Sequence, residues 1–146
     1  MAHEESITTR GVEQQSVRRY VERFVEDGNL ATRITTVLCA IDEGSRRDLM
    51  MDPRFRISVD LIVPGTGRQV WMSCPHPNGG GSRSVVLKQR LAVCGADFAH
   101  YVIAHELAHA CLRNGGWGGI EDAEEAADAL AAKWGFARPQ DGTGNK

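Results

Sequence analysis

VIAHELAHACLRNGGWGGIEDAEEAADALAAKWGF, residues 102–136, predicts two helices joined by a glycine-rich turn. The first helix is expected over about residues 98–113, with Asp97 as its N-cap and Asn114 at its end. The second is expected over residues 120–136, with acidic side chains favourably placed in its first turn. The glycines between them can reverse the chain, so the two helices are expected to face each other.

Two histidines interrupt the apolar surface of the first helix. His105 and His109 are four residues apart, so one turn separates them and both imidazoles project from the same face. Two imidazoles at this spacing can bind one metal ion. Glu106 lies about 100° further round the helix, where it can hold a water molecule on that metal without binding it directly. The letters HELAH therefore predict an HExxH zinc site.

A catalytic zinc ion takes three protein ligands and leaves the fourth position to water, so a third ligand is needed. On the second helix, Glu124 lies within the apolar stripe, whereas Glu125 points away from it. The stripe consists of Ile120, Ala127, Ala131 and Trp134. A carboxylate in such a stripe is costly unless a positive charge meets it, which makes Glu124 the expected third ligand. Asp128, one turn further on, is expected to accept a hydrogen bond from a zinc-bound histidine. The alternative is that both carboxylates only cap the helix or pair with a base such as Arg113.

The N-terminal third of the chain predicts two amphipathic helices. Apolar residues recur there at helical spacing on both sides of a break at residues 27–29. They are Val17, Tyr20, Val21, Phe24 and Val25 before the break, and Leu30, Ile34, Val37, Leu38 and Ile41 after it.

Strands are expected to follow these helices. From Phe55 the apolar residues alternate with mostly polar ones, and the turn residues at 64–67 predict a hairpin whose second arm is residues 70–73. Residues 84–91, SVVLKQRL, predict a third strand. The expected sheet is therefore small, three-stranded and mainly antiparallel, and it precedes the HExxH helix and the glutamate-bearing C-terminal helix.

The composition is typical of one globular domain. The chain has 146 residues, of which 42% are hydrophobic and 25% charged, enough to form a core. We expect a single α+β domain over residues 1–146. Within it, residues 1–53 form a helical part, residues 54–136 the catalytic core and residues 137–146 a flexible tail.

Charge and targeting patterns exclude several classes of function. The formal net charge of −2 gives no general attraction to nucleic acid or to anionic lipid. No signal-peptide pattern and no long apolar run is found, which favours a cytoplasmic protein without a membrane partner. The four cysteines form no CxxC pair and are expected to be buried free thiols. They are Cys39, Cys74, Cys94 and Cys111.

HELAH at 105–109, followed after a short turn by EEAADALAAKWGF at 124–136, resembles the gluzincins, the HExxH zinc peptidases with a glutamate ligand. The E-x-x-A-D spacing is similar to that of the small regulatory peptidases of the ImmA/IrrE kind and of soluble relatives of the CAAX-prenyl peptidases. The resemblance covers residues 84–136. It implies His105, His109 and Glu124 as zinc ligands, Glu106 as catalytic base and Asp128 as the hydrogen-bond partner of a ligand.

The expected function is that of a zinc-dependent endopeptidase acting on a peptide or protein, with Zn²⁺ as cofactor and no nucleic-acid partner. Two alternatives remain open. One is a catalytically weak interaction module stabilised by zinc, and the other is a regulatory protein that cleaves one partner on a signal. Three side chains are candidates for stabilising the oxyanion of the reaction: Tyr101, His100 and His76.

Overall fold

In the computed structural model, residues 13–60, 83–113 and 115–139 are described, and they form five helices and two strands. We label the helical residues 13–22 α1. The chain continues through α2 (Gly28–Ala40), α3 (Glu43–Met50), β1 (Phe55–Asp60), β2 (Arg83–Lys88), a 3₁₀ turn (Gln89–Ala92), α4 (Ala96–Leu112) and α5 (Ala123–Lys133). The domain is therefore α+β.

Aspartate caps begin three of the helices. Asp27, Asp42 and Asp122 precede α2, α3 and α5, and each side chain accepts a hydrogen bond from the backbone N–H three residues later. The two helices predicted around residues 27–29 are confirmed, and the break is the start of α2. Helix α3 was not predicted from periodicity because Leu49 is its one buried residue.

The prediction of a three-stranded, mainly antiparallel sheet is wrong. Among the described residues the sheet has two strands, and β1 pairs with β2 in parallel, with Ile57 opposite Val85. Alternation places Phe55 and Ile57 on the buried face together with Val85 and Leu87, but the same alternation suits a parallel or an antiparallel partner. The predicted hairpin arm, residues 70–73, lies outside the described residues.

The ends of the two C-terminal helices differ from those predicted. Helix α4 begins at Ala96 after Gly95, so Asp97 lies in its first turn and is not its N-cap. Its end is at Arg113, which adopts a left-handed conformation with φ 54°. Helix α5 is shorter than predicted, and it ends where Gly135 adopts φ 103°.

Helix α4 is the centre of the domain and packs against α2, α3, α5 and β2. Most of its circumference is apolar, which is typical of a helix enclosed by its neighbours. Its fully or almost fully buried residues are Ala99, Tyr101, Ile103, Ala104, Leu107, Ala108 and Ala110. Among the described residues, no helix combines the length and apolar character needed to cross a membrane.

The turn between α4 and α5 leaves no room for a side chain at Gly116. A Cβ there would lie 2.3 Å from the carbonyl oxygen of Ile120, and Ile120 is held by two backbone hydrogen bonds of 2.9 Å with Trp117. We therefore expect Gly116→Ala to lower the free energy of unfolding, measured in urea, by about 2 kcal/mol.

The matched control is Gly119→Ala. A Cβ at Gly119 meets nothing within 4 Å, so the free energy of unfolding is expected to change by less than about 1 kcal/mol. Equal stability of the two variants would contradict the tight approach at Gly116.

Candidate metal centre

Helices α4 and α5 bring three predicted ligands together. His105 Nε2 lies 3.0 Å from Glu124 Oε1, and His109 Nε2 lies 3.2 Å from Glu124 Oε2. One potential ligand atom from each residue lies within 4.8 Å of the other two. Because the histidines are one turn apart on α4 and Glu124 is in the first turn of α5, the packing of these two helices creates the cluster.

The contacts of His105 fit a cation between the three side chains. Its Nδ1 lies 2.7 Å from Asp128 Oδ1 and its Nε2 lies 3.0 Å from Glu124 Oε1, so both ring nitrogens face carboxylates. A neutral imidazole has one N–H and can donate to only one of them. With that N–H on Nδ1, facing Asp128, a metal ion between Nε2 and Glu124 would bind the Nε2 lone pair and the carboxylate together.

The donor set is one that zinc can bind. Two imidazoles and one carboxylate are the ligands of one class of catalytic zinc site. With bonds of about 2.0–2.1 Å, neighbouring ligand atoms around a tetrahedral zinc lie about 3.4 Å apart, close to the 3.0 and 3.2 Å found here. The histidine side chains are 12% exposed and that of Glu124 is 74% exposed, so the cluster is open to solvent on the Glu124 side.

The exposure of Glu124 differs from the prediction that it lies in a buried stripe. Its position in the first turn of α5 places it at the rim of the helix pair, from which its carboxylate reaches both histidines. Partial burial raises its pKa, but the hydrogen bond from His105 and the charge of His109 outweigh that effect and hold the pKa below its usual value. Glu125 is exposed and makes no contact with either histidine among the described residues.

Asp128 accepts hydrogen bonds from three side chains. The predicted contact with His105 Nδ1 is present at 2.7 Å, and sequence reasoning missed the other two donors. The Tyr101 hydroxyl donates to Oδ1 at 2.6 Å, and Arg138 Nη2 donates to Oδ2 at 3.1 Å. Tyr101 could have been found because it lies four residues before His105 on the same face of α4. Arg138 could not, because it lies in the stretch predicted as a flexible tail.

Glu106 lies beside this cluster without joining it. Burial raises the pKa of its carboxyl group, and the charges of His109 and His105 only partly oppose that rise. Within the described part of the chain, no side chain donates a hydrogen bond to Glu106. Its carboxylate therefore lies within electrostatic range of both histidines and of Glu124 and is available for a proton.

Of the three oxyanion candidates, the two that lie in the described residues have contacts other than the metal cluster. The Tyr101 hydroxyl donates a hydrogen bond to Asp128. Burial of the hydroxyl, and to a smaller extent this hydrogen bond, raises the pKa of Tyr101 to about 12. The His100 ring packs edge-on against Phe136 at 6.1 Å between centroids, and burial lowers its pKa. His76 lies outside the described residues.

No thiol of the described residues belongs to the cluster. Cys39, Cys94 and Cys111 are free and only partly buried, so the prediction of buried thiols is correct in part. Burial raises the pKa of Cys111 to about 12, which disfavours the thiolate that metals bind. Cys74 lies outside the described residues.

Comparisons with protein-family models, with curated proteins and with solved structures gave no match to this chain. The resemblance to the gluzincins therefore stays a prediction.

Proposed function

We propose that this protein is a zinc-dependent peptidase in which His105, His109 and Glu124 hold the metal and Glu106 is the general base. The observation that supports this best is the convergence of both histidine Nε2 atoms on the Glu124 carboxylate. Glu106, the next residue after His105, stays outside that convergence. A purely structural zinc site is usually closed by four protein ligands, whereas the described residues supply three here, and Glu124 leaves the cluster open on one side.

The reaction is the addition of water to a peptide carbonyl and the cleavage of its C–N bond, which yields a carboxylate and an amine. Zinc supplies Lewis acidity, which makes water nucleophilic near neutral pH and polarises the carbonyl. The Glu106 carboxylate takes a proton from the attacking water and later delivers it to the departing amine nitrogen. Its raised pKa suits a group that must hold this proton between the two steps. Asp128 keeps the His105 ring oriented through Nδ1.

The proposal is tested by assaying the zinc-loaded protein against a diverse library of peptides, with mass spectrometry of the products. We expect cleavage that stops when zinc is removed by a chelator and returns when zinc is restored. If zinc raises the melting temperature but no peptide is cleaved, the protein is a zinc-stabilised interaction module and the peptidase proposal is wrong.

Asp128→Asn tests the hydrogen bond to His105. An amide accepts more weakly than a carboxylate and can present its NH₂ group to Nδ1. We expect zinc to remain bound with an affinity lower by about 10–100-fold, measured by competition with a chromophoric chelator. Asp97→Asn, an exposed site in the first turn of α4, is the matched control and should leave the affinity unchanged. Equal affinities in the two variants would remove Asp128 from the site.

A further inference from the structure

The Asp128 carboxylate has more partners than the proposed zinc site requires. Orienting His105 needs one hydrogen bond, from Nδ1 to Oδ1. Asp128 also accepts from Tyr101 through the same oxygen and from Arg138 through the other oxygen. A carboxylate offers about four lone-pair positions, so three donors on its two oxygens leave it little freedom to rotate.

The chain after α5 folds back to deliver Arg138. At Gly135, with φ 103°, the helix ends in a Schellman motif: the Phe136 N–H donates to Ala131 O and the Gly135 N–H to Ala132 O, both at 2.9 Å. Phe136 then packs against His100. The chain after this turn therefore lies against α4, the helix that carries His105 and His109.

Tyr101 and Arg138 also contact each other. The Arg138 guanidinium carbon lies 5.3 Å from the centroid of the Tyr101 ring, within range of a cation–π interaction. The Tyr101 ring is in turn 5.9 Å from the ring of His105. The two donors to Asp128 thus contact each other, and one of them, Tyr101, also lies beside His105.

The geometry points to Tyr101 and Arg138 as positioning residues that hold Asp128 so that the His105 proton stays on Nδ1 and the Nε2 lone pair faces Glu124. A carboxylate fixed through both oxygens offers an acceptor at one place and in one orientation. The neutral imidazole then has one favoured tautomer, the one in which Nε2 can bind a metal. Glu124 Oε1 lies 3.0 Å from Nε2 and competes with Asp128 for the single imidazole proton, so the position of that proton reports how firmly Asp128 is held. The consequence for metal affinity rests on the proposed function, whereas the position of the proton in the metal-free protein does not.

The Tyr101 hydroxyl also has an electronic effect on His105 that opposes its positioning effect, so the direction of the change in zinc affinity distinguishes the two. Tyr101 shares Oδ1 with His105, so its proton draws electron density from the oxygen that accepts from Nδ1. If that effect dominated, removing the Tyr101 hydroxyl would make His105 a stronger ligand. If positioning dominates, as we infer, removing the hydroxyl makes it a weaker one.

The test uses Tyr101→Phe, Arg138→Gln and the double variant. The chain supplies a matched control for each. Arg47 matches Arg138 closely. Arg47 is 71% exposed and forms a 3.1 Å ion pair with Glu43, and Arg138 is 69% exposed and forms a 3.1 Å ion pair with Asp128. Tyr20, the other tyrosine of the chain, packs on aromatic rings away from the cluster. The controls are therefore Arg47→Gln and Tyr20→Phe, and circular dichroism with thermal unfolding establishes that every variant is folded.

Two quantities are measured. Competition with a chelator gives the zinc dissociation constant, and NMR of ¹⁵N-labelled histidine in the metal-free protein gives the tautomer of His105. We expect each single variant to weaken zinc binding by about three- to tenfold, less than the 10–100-fold typical of a direct partner of a ligand. The double variant should move the His105 proton partly from Nδ1 to Nε2. The controls should change neither quantity.

A double-mutant cycle adds a readout that a merely structural role would not move. If Tyr101 acts through Asp128, the loss caused by Tyr101→Phe should disappear in an Asp128→Asn background. Additive losses would overturn the inference, and so would unchanged or tighter zinc binding in the single variants. If the wild-type protein binds no zinc, the proposed function fails, and the tautomer alone decides this inference: a shift in the double variant supports it and an unshifted tautomer overturns it.

Discussion

Replacing Glu106 with glutamine is expected to leave zinc bound while peptide hydrolysis falls by about 10²–10⁴-fold, the usual contribution of a general base. Glutamine has nearly the same shape as glutamate but cannot take a proton from water. The three proposed ligand atoms belong to other residues, and the substitution changes neither a ligand nor a residue hydrogen-bonded to a ligand. Zinc affinity should therefore stay within about threefold of the wild-type value. The measurements are zinc content, chelator competition and kcat/KM on a cleaved peptide.

The matched control is Glu125→Gln. Glu125 is exposed on α5 and makes no contact with the histidines, so both zinc binding and hydrolysis should match the wild type. Loss of zinc from Glu106→Gln would show that Glu106 is a ligand. Full activity with zinc bound would show that another group takes the proton.

Glu124→Ala is expected to remove most of the zinc. It deletes the carboxylate on which both Nε2 atoms converge, so the loss of affinity should exceed the 10–100-fold typical of a residue that only orients a ligand. The neighbouring Glu125 provides an internal comparison, because about 100° separates adjacent residues on a helix. Glu125→Ala should retain full zinc affinity in the same chelator titration.

The two variants at positions 124 and 125 also test the packing of α5 on α4. Zinc loss in Glu125→Ala with retention in Glu124→Ala would mean that α5 is rotated relative to α4. Zinc retention in both would mean that the third ligand, if there is one, lies elsewhere. In either case the assignment of Glu124 would be wrong.

The positions of α1, α2, α4 and α5 could be predicted from the sequence, but α3 and the direction of the strands could not. Period-3.6 patterns in α1 and α2 identify residues that are buried in the structure, such as Val21 and Ile34. Alternation in β1 likewise identifies the buried face, with Phe55 and Ile57. It carries no information on whether the partner strand is parallel, which depends on the route of the chain between them.

The convergence of His105, His109 and Glu124 could be predicted because its parts are local. His105 and His109 lie one turn apart on α4, and helix periodicity alone distinguishes Glu124 from Glu125 on α5. The prediction that Glu124 is buried failed because periodicity gives the face of a helix and not the depth of its first turn. Arg138 was missed because its contact with Asp128 depends on the turn at Gly135, which returns the chain to α4.

X-ray absorption spectroscopy of the zinc-loaded wild-type protein identifies the atoms bound to the metal. We expect one zinc ion per chain, with two imidazole nitrogens and two oxygens at about 2.0–2.2 Å. One oxygen would come from Glu124 and the other from water. A sulfur neighbour at about 2.3 Å would assign the metal to cysteines instead, and the failure of the chain to retain one equivalent of zinc would contradict the proposed zinc site altogether.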